Sequence, residues 1–275
     1  MKKNWLYNKV VIITGANGGL GFGIAKILIN KFNCTVYGIA RNEKKFKKVK
    51  QDLGEKANKF FYQTFDASSL DDWNNFLTYL DNNNIVPDVL INNAGMMLPF
   101  ARLDKIDFTC IDKILKTNLY STIYGTRTLL NKLLASKTPA IINISSSAGN
   151  CAVIGQSLYT ATKYGVKGFT QALQQEYIRK IYIAGVYPGF IKTDIMSKQN
   201  ISIKSKNLID KFSMDVDKAS KNIVRKIPKK KKFICMGIDG KFMTYCGKLF
   251  PNFTSSIIRK VLKSSKLDLF EQVFD

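Results

Sequence analysis

Histidine is absent from the 275 residues. Imidazole is therefore excluded as a general acid–base and as a metal ligand, and proton transfer near neutral pH must use another group. Cysteine is sparse. Cys34, Cys110, Cys151, Cys235 and Cys246 are odd in number, widely spread and form no CxxC pair. That pattern argues against a disulfide framework or a zinc site and for reduced thiols, so no metal is expected. No apolar run reaches the ~18 residues that a membrane-spanning helix needs. The opening "MKKNWLYNKVVIITGANGG" has the early lysines of a signal peptide, but its apolar run "VVIIT" is short and leads into glycines instead of a cleavage site. It reads as a first strand, and the chain as cytoplasmic. Acidic residues are also few, 20 against 43 Lys and Arg, for a net charge of +23. Such an excess suits polyanions, phosphorylated cofactors or anionic lipid surfaces. A compositional habit accounts for most of it, because Lys, Asn and Ile are frequent throughout. The run "KIPKKKKF" (226–233) reads as a solvated helix-to-strand turn.

What is present is a strong alternation. Apolar runs occur at 9–14, 34–40, 59–65, 88–92, 140–145, 181–187 and 233–238. Several are β-branched and nearly continuous in hydrophobicity, as strands covered on both faces are. Between them lie amphipathic stretches: Leu20, Ile24, Ile27 and Leu28 share one helical face, as do Leu70, Trp73, Phe76, Leu77 and Leu80. The alternation predicts an α/β chain with a doubly wound parallel sheet. Residues 1–238 are expected to form one domain and 239–275 a basic amphipathic C-terminal arm. The stretch 190–215 breaks the rhythm, as a loop or helical lid over a site would.

"TGANGGLG" (14–21) follows the first strand and opens a helix. In that context Gly15, Gly18, Gly19 and Gly21 let the backbone approach a pyrophosphate, and the helix N-terminus meets it with free N–H groups. Asn17 and Leu20 lie in the same turn. A plain structural turn is the competing reading. The second strand ends "YGIARNEKK", with no acid at Ala40 to grip a ribose 2′-hydroxyl. Arg41, with Lys44 or Lys45, suits a 2′-phosphate instead. NADP is the expected cofactor, with NAD still open because Arg41 could be an ordinary surface arginine.

"SLYTATKYG" (157–165) sets Tyr159 four residues before Lys163, on one helical face. A free phenol titrates near 10, and bringing it toward 7 takes about 4 kcal/mol, which a desolvated ammonium a few ångströms away can supply. Lys163 is thus expected to make Tyr159 acidic enough to replace the missing histidine. Alone, the pair is commonplace on helix surfaces.

In order along residues 8 to 195, "TGANGGLG", Asp66, "NNAG" (92–95), Asn118 in "KTNLYST", "ISSSAG" (144–149), "YTATK" (159–163) and "YPGFIKT" (187–193) resemble the short-chain dehydrogenase/reductases. The resemblance implies a Rossmann fold and hydride transfer between a nicotinamide and a carbonyl or secondary alcohol. It places Asp66 at the adenine edge, Asn93, Ala94 and Gly95 along the adenosine, and Pro188, Gly189, Ile191 and Thr193 beside the nicotinamide. The catalytic set it implies is Asn118, Ser146, Tyr159 and Lys163. Ser146 is preferred over Ser145 and Ser147 because it lies thirteen residues before Tyr159, the usual family separation. Tyr159 would pass the proton and Ser146 would hold the substrate oxygen. Lys163 would also hold the ribose, and Asn118 would anchor a water. Two departures stand out: the turn in "QEYIRKIYIAG" is short and lacks the usual glycine, and Gly18 stands where some NADP-users carry a basic residue.

The expected pocket walls, "MMLPF" (96–100), "CAVIG" (151–155), Tyr187 and the 190–215 loop, are mostly apolar and point to a lipophilic small molecule. From 218 to 275 there are 14 Lys and Arg against 4 Asp and Glu. The arm fits an interfacial membrane helix, and equally a flap over the active site or a contact with another subunit. By analogy with the family, a homodimer or homotetramer through long helices at 105–136 and 158–180 is expected. Two rival readings stand beside this one: a non-catalytic NADP(H)-binding sensor, which would not need the Ser–Tyr–Lys set, and a nucleic-acid binder, for which no base-reading module is present. No nucleic-acid partner is expected.

Overall fold

The computed structural model describes residues 4–193 and 202–274. Each of the seven apolar runs becomes a strand: β1 (Val10–Thr14), β2 (Thr35–Ala40), β3 (Phe60–Thr64), β4 (Val89–Asn92), β5 (Ala140–Ile144), β6 (Tyr182–Pro188) and β7 (Phe233–Met236). They form one parallel sheet in the order β3-β2-β1-β4-β5-β6-β7. The central runs lack a polar face because both faces are covered, whereas the edge strand β3 leaves Phe61 and Thr64 exposed. Val11 and Ile13 point into a layer with Ile24, Leu28, Ile91 and Ile142. Ile12 points the other way, to Trp73, Leu90, Leu133 and Ile141. The first layer holds α1 (Gly19–Phe32) and α2 (Glu43–Leu53), the second α3 (Leu70–Asn82) and α5 (Ser121–Leu134). The strand order reverses between β1 and β4, and the crevice past their carboxyl ends is where such a sheet binds ligands.

Helix α3 shows how local sequence sets an element. The Ser69 hydroxyl accepts the Asp72 N–H at 3.1 Å, and Asp71 and Asp72 lie in the positive first turn. Trp73, Phe76 and Leu80 are buried, whereas Leu70, expected on the same face, is exposed in that first turn.

The helix expected over 105–136 is not continuous. A 3-10 turn spans Leu103–Lys105, α4 runs Phe108–Leu115, a π turn covers Lys116–Tyr120, and α5 follows. The widened turn lies where the buried Asn118 reaches across to Met96. Helix α6 (Ser157–Glu176) is unbroken. After β6, the part of the predicted lid at 194–201 lies outside the described residues. The rest contains α7 (Ile203–Phe212) and a parallel bridge between Ile191 and Met214. Then come α8 (Val216–Lys226), which packs on α1, and β7. The arm folds as α9 (Ile238–Leu249), α10 (Pro251–Ser264) and a short α11 (Glu271–Phe274). Among the described residues no helix is long and apolar enough to cross a membrane.

Candidate active site

A cavity of about 570 Å³ opens at the carboxyl ends of β1, β4 and β5. It has a polar end over the glycine turn, apolar walls at the other, and Tyr159, Ser146 and Lys163 between them.

The polar end is built from close backbone packing. Gly15 has φ +68° and Gly19 φ +49°, left-handed values that disfavour a side chain. A Cβ on Gly21 would run into the Gly15 carbonyl oxygen, whereas Gly18 faces open space. Gly18 leaves α1 without a side-chain cap, and no acid stands in its first turn. Its N–H groups and partial positive charge are therefore available to an anion. The Asn93 amide donates to the Thr14 carbonyl at 2.9 Å, and the Thr14 hydroxyl accepts the N–H groups of Asn93 and Ala94, each at 2.9 Å. Asn93 and Ala94 are thus locked against the glycine turn, with Gly95 following. Asn17 donates to the Asn42 carbonyl at 3.2 Å, tying the turn to the end of β2. At that end Arg41 faces Asp66 at 3.6 Å, with both side chains largely exposed. Burial pushes the Asp66 carboxyl up, but donation from the Ser68 N–H and hydroxyl and the Arg41 guanidinium outweigh it and hold it below the usual carboxylate range. An exposed pair of this kind is worth about 0–1 kcal/mol, so an incoming phosphate can compete for Arg41. Lys45 and Asn42 line the same corner. This cradle fits a phosphorylated dinucleotide: glycines where a Cβ would block it, an uncapped helix end, and Arg41 and Lys45 with no acid at Ala40.

In the middle of the cavity, which all three serines line, they differ in burial and bonding. Ser145 and Ser147 are buried, and the Ser145 hydroxyl donates to the Lys163 carbonyl at 2.8 Å. Ser146 is half-buried and lines the cavity; its hydroxyl accepts the Ala148 N–H at 3.1 Å and pairs with the Tyr159 phenol. Lys163 Nζ lies 5.6 Å from the centre of the Tyr159 ring and donates to the Ile144 carbonyl at 3.2 Å. Burial brings the Lys163 ammonium down to about 8, and burial also raises the Tyr159 phenol, partly offset by its bond to Ser146. Lys163 does not lower Tyr159 here as the sequence led us to expect. Its ammonium is turned to a backbone carbonyl, and desolvation disfavours the charged form of both groups. Asn118 is fully engaged as well. Its Oδ1 accepts the Met96 N–H at 2.7 Å, and its Nδ2 donates to the Met96 carbonyl at 2.9 Å and to Thr162 Oγ1 at 3.1 Å. The side chain pins the segment after β4 to α6 and is not turned to solvent.

Pro188, Gly189, Ile191 and Thr193 also line the cavity, with Thr193 packed over Gly19. The apolar walls include Met96, Met97, Phe100 and Val153, as expected, but Tyr187 is not among them. It is buried and stacks on Phe233, ring centres 4.4 Å apart, so its alternation in β6 points it into the sheet's flank. Three wall groups were missed: Met243 of α9, Ile258 and Leu262 of α10, and Phe270. Ile258 and Leu262 stand one helical turn apart, a signal legible in the arm. Asp239 was also missed: its Oδ2 accepts the Phe190 N–H at 2.7 Å, fixing the turn after Pro188.

A nucleotide cradle and a buried acid–base cluster sharing one crevice define an NAD(P)-dependent oxidoreductase. A family profile described as short chain dehydrogenase matches residues 9–204, and the chain belongs to that family. A 3-oxoacyl-(acyl-carrier-protein) reductase of Rickettsia typhi is 33% identical over 195 residues, covering 70% of this chain and 76% of that one. A namesake from Aquifex aeolicus is 31% identical over 199 residues, covering 71% and 69%. Of solved structures, an actinorhodin polyketide ketoreductase with NADPH matches with TM-score 0.76 and 22% identity, covering 89% of this chain and 100% of that one. A short chain dehydrogenase from Burkholderia cenocepacia in complex with NADP gives 0.76 and 18%, covering 92% and 98%. Both structural matches bear on the fold.

Proposed function

We propose that the chain reduces a lipophilic carbonyl with NADPH, with Tyr159 as the proton donor. The observation that carries this reading is the join in one cavity: Tyr159 on Ser146, beside a buried Lys163, with a phosphate cradle on one side and apolar walls on the other. When bound, the nicotinamide supplies the hydride for the carbonyl carbon. Ser146 holds the carbonyl oxygen, and Tyr159, kept neutral by burial, gives that oxygen its proton. Lys163, near 8, is poised to return a proton to Tyr159 at neutral pH, a job for which a solvent-exposed lysine is too basic. Asn118 is a positioning residue that holds Met96 and α6 in register. Gly15, Asn17, Gly18, Gly19, Leu20 and Gly21 receive the pyrophosphate, and Asp66, Asn93, Ala94 and Gly95 the adenosine. Pro188, Gly189, Ile191 and Thr193 flank the nicotinamide. Arg41 and Lys45 favour the 2′-phosphate, hence NADP over NAD.

The relatives' names make 3-oxoacyl thioesters the first substrates to try. Phe108 of α4, Tyr120 of the π turn and Leu134 of α5 are exposed, which supports assembly as a homodimer or homotetramer through this helical segment.

The test is a panel of 3-oxoacyl thioesters and other apolar ketones with NADPH and NADH, run on the parent and on Tyr159→Phe. NADPH should be oxidised faster than NADH, and the variant should lose roughly 10²–10⁴-fold in kcat, the usual contribution of a general acid. A Tyr159→Phe enzyme as fast as the parent ends this reading.

A further inference from the structure

Helix α9 is apolar on two opposite faces. Gly240, Met243, Thr244 and Gly247 face inward and are buried. Gly247 abuts Cys151 and the Asn150 carbonyl, and Thr244 accepts the Asn150 amide at 3.1 Å. Outward, Ile238, Phe242, Tyr245 and Leu249 recur at i, i+4, i+7 and i+11, one stripe along the helix. They are 91%, 43%, 61% and 70% exposed. The stripe runs on into Phe250 and Phe253 at the elbow between α9 and α10, both more than half exposed. An inward face already packed means that this outward stripe adds nothing to the core, and a continuous exposed apolar stripe marks an interaction surface.

Charge chooses the occupant. From Gly240 to Lys263 the chain carries Lys241, Lys248, Arg259, Lys260 and Lys263 and no acid at all. All five are exposed. A second copy meeting this face through a two-fold axis would set like charges against like charges. Aromatic and aliphatic side chains flanked by lysines and an arginine are the composition that lies in an anionic bilayer interface. We propose that the stripe of α9 and the α9–α10 elbow dock the protein on an anionic membrane surface. Met243, Ile258 and Leu262 of the same two helices line the apolar end of the cavity, so docking sets that wall beside the lipid.

The experiment is co-sedimentation of the full chain with phosphatidylcholine vesicles, with and without about one third phosphatidylserine. Two variants accompany it: Leu249→Ser/Phe250→Ser/Phe253→Ser and Lys241→Gln/Lys248→Gln/Lys260→Gln. None of these residues lines the cavity, so NADPH-dependent turnover of a water-soluble ketone reports folding, and Tyr159→Phe should pellet like the parent. The parent should pellet with the anionic vesicles only. Each variant should lose roughly tenfold or more in partitioning, since each basic residue near such a surface contributes about fivefold and each large apolar side chain buried in it contributes at least as much. Equal pelleting of parent and variants overturns the proposal. So does failure of the parent to pellet, including a case in which the serine variant changes its oligomeric state or its affinity for an acidic carrier protein instead.

Discussion

Tyr159 and Lys163 were legible as a pair from four-residue spacing, but their acidities were not, because burial is a tertiary quantity. Lys163 titrates near 8 in the fold against 10.5 when free, through desolvation. The unfolded chain therefore binds more protons than the native one between about pH 8 and 10.5. Stability from this group rises with pH across that window, and the full penalty applies below it. At 1.36 kcal/mol per unit the penalty is about 3 kcal/mol. Lys163→Met should consequently be more stable than the parent in urea at pH 7, by up to about 3 kcal/mol, with the gap closing toward pH 10. A constant gap across pH would show that Lys163 titrates normally. The same group sets a kinetic expectation. If protonated Lys163 refills Tyr159, kcat for ketone reduction should fall as pH rises through about 8, whereas a lysine left at its ordinary value would leave the profile flat to beyond pH 9.

Among the elements, the strands were the most legible, since β1, β4, β5 and β6 are buried along nearly their whole length and so are mostly apolar, with Asn143 inside β5 an exception that bonds Asn92 and Thr170. The break at Lys116–Tyr120 was not, because its sequence is compatible with a continuous helix and only the distant backbone of Met96 gives Asn118 a reason to turn. The turn from α6 to β6 shows the opposite case. Its missing glycine was visible in the sequence, and the fold places Arg179 there at φ +64°. A left-handed conformation costs a residue with a Cβ about 1–2 kcal/mol, partly offset because glycine gives the unfolded chain more freedom. Arg179→Gly should raise stability by up to about 1 kcal/mol, read as a shift in the urea midpoint with an unchanged slope. A destabilised variant would mean that the arginine side chain makes a contact worth more than the backbone strain.

For the whole molecule, the open question in the sequence was what the arm covers, because its apolar residues suit a lid and a lipid surface equally. The fold divides them between a cavity wall and an exposed stripe. Phe270 is buried edge-on against Phe100, ring centres 4.9 Å apart, in a small core with Leu269 and Val273 that is separate from the two sheet layers. Asp268 accepts the Ser202 N–H at 2.5 Å and the Ser205 hydroxyl, which latches the arm to the start of α7. The Arg102 N–H donates to the Gln272 carbonyl at 3.3 Å. The segment around Phe270 is thus a wall of the cavity, held at three points. Phe270 is only 5% exposed, so most of its contact is with Phe100, Leu269 and Val273, and the part left to a substrate is worth about 1 kcal/mol. Phe270→Ala should then raise KM for a long-chain ketone by roughly fivefold, since each 1.4 kcal/mol is tenfold. The Kd for NADPH should stay within about threefold, because the cradle lies at the far end of the cavity and effects at separated sites rarely couple. Paired measurements of KM on a long and a short ketone separate the outcomes. A rise confined to the long ketone makes the arm part of substrate selection, and an equal rise on both would mean that Phe270 supports the fold of the crevice and not the shape of its wall.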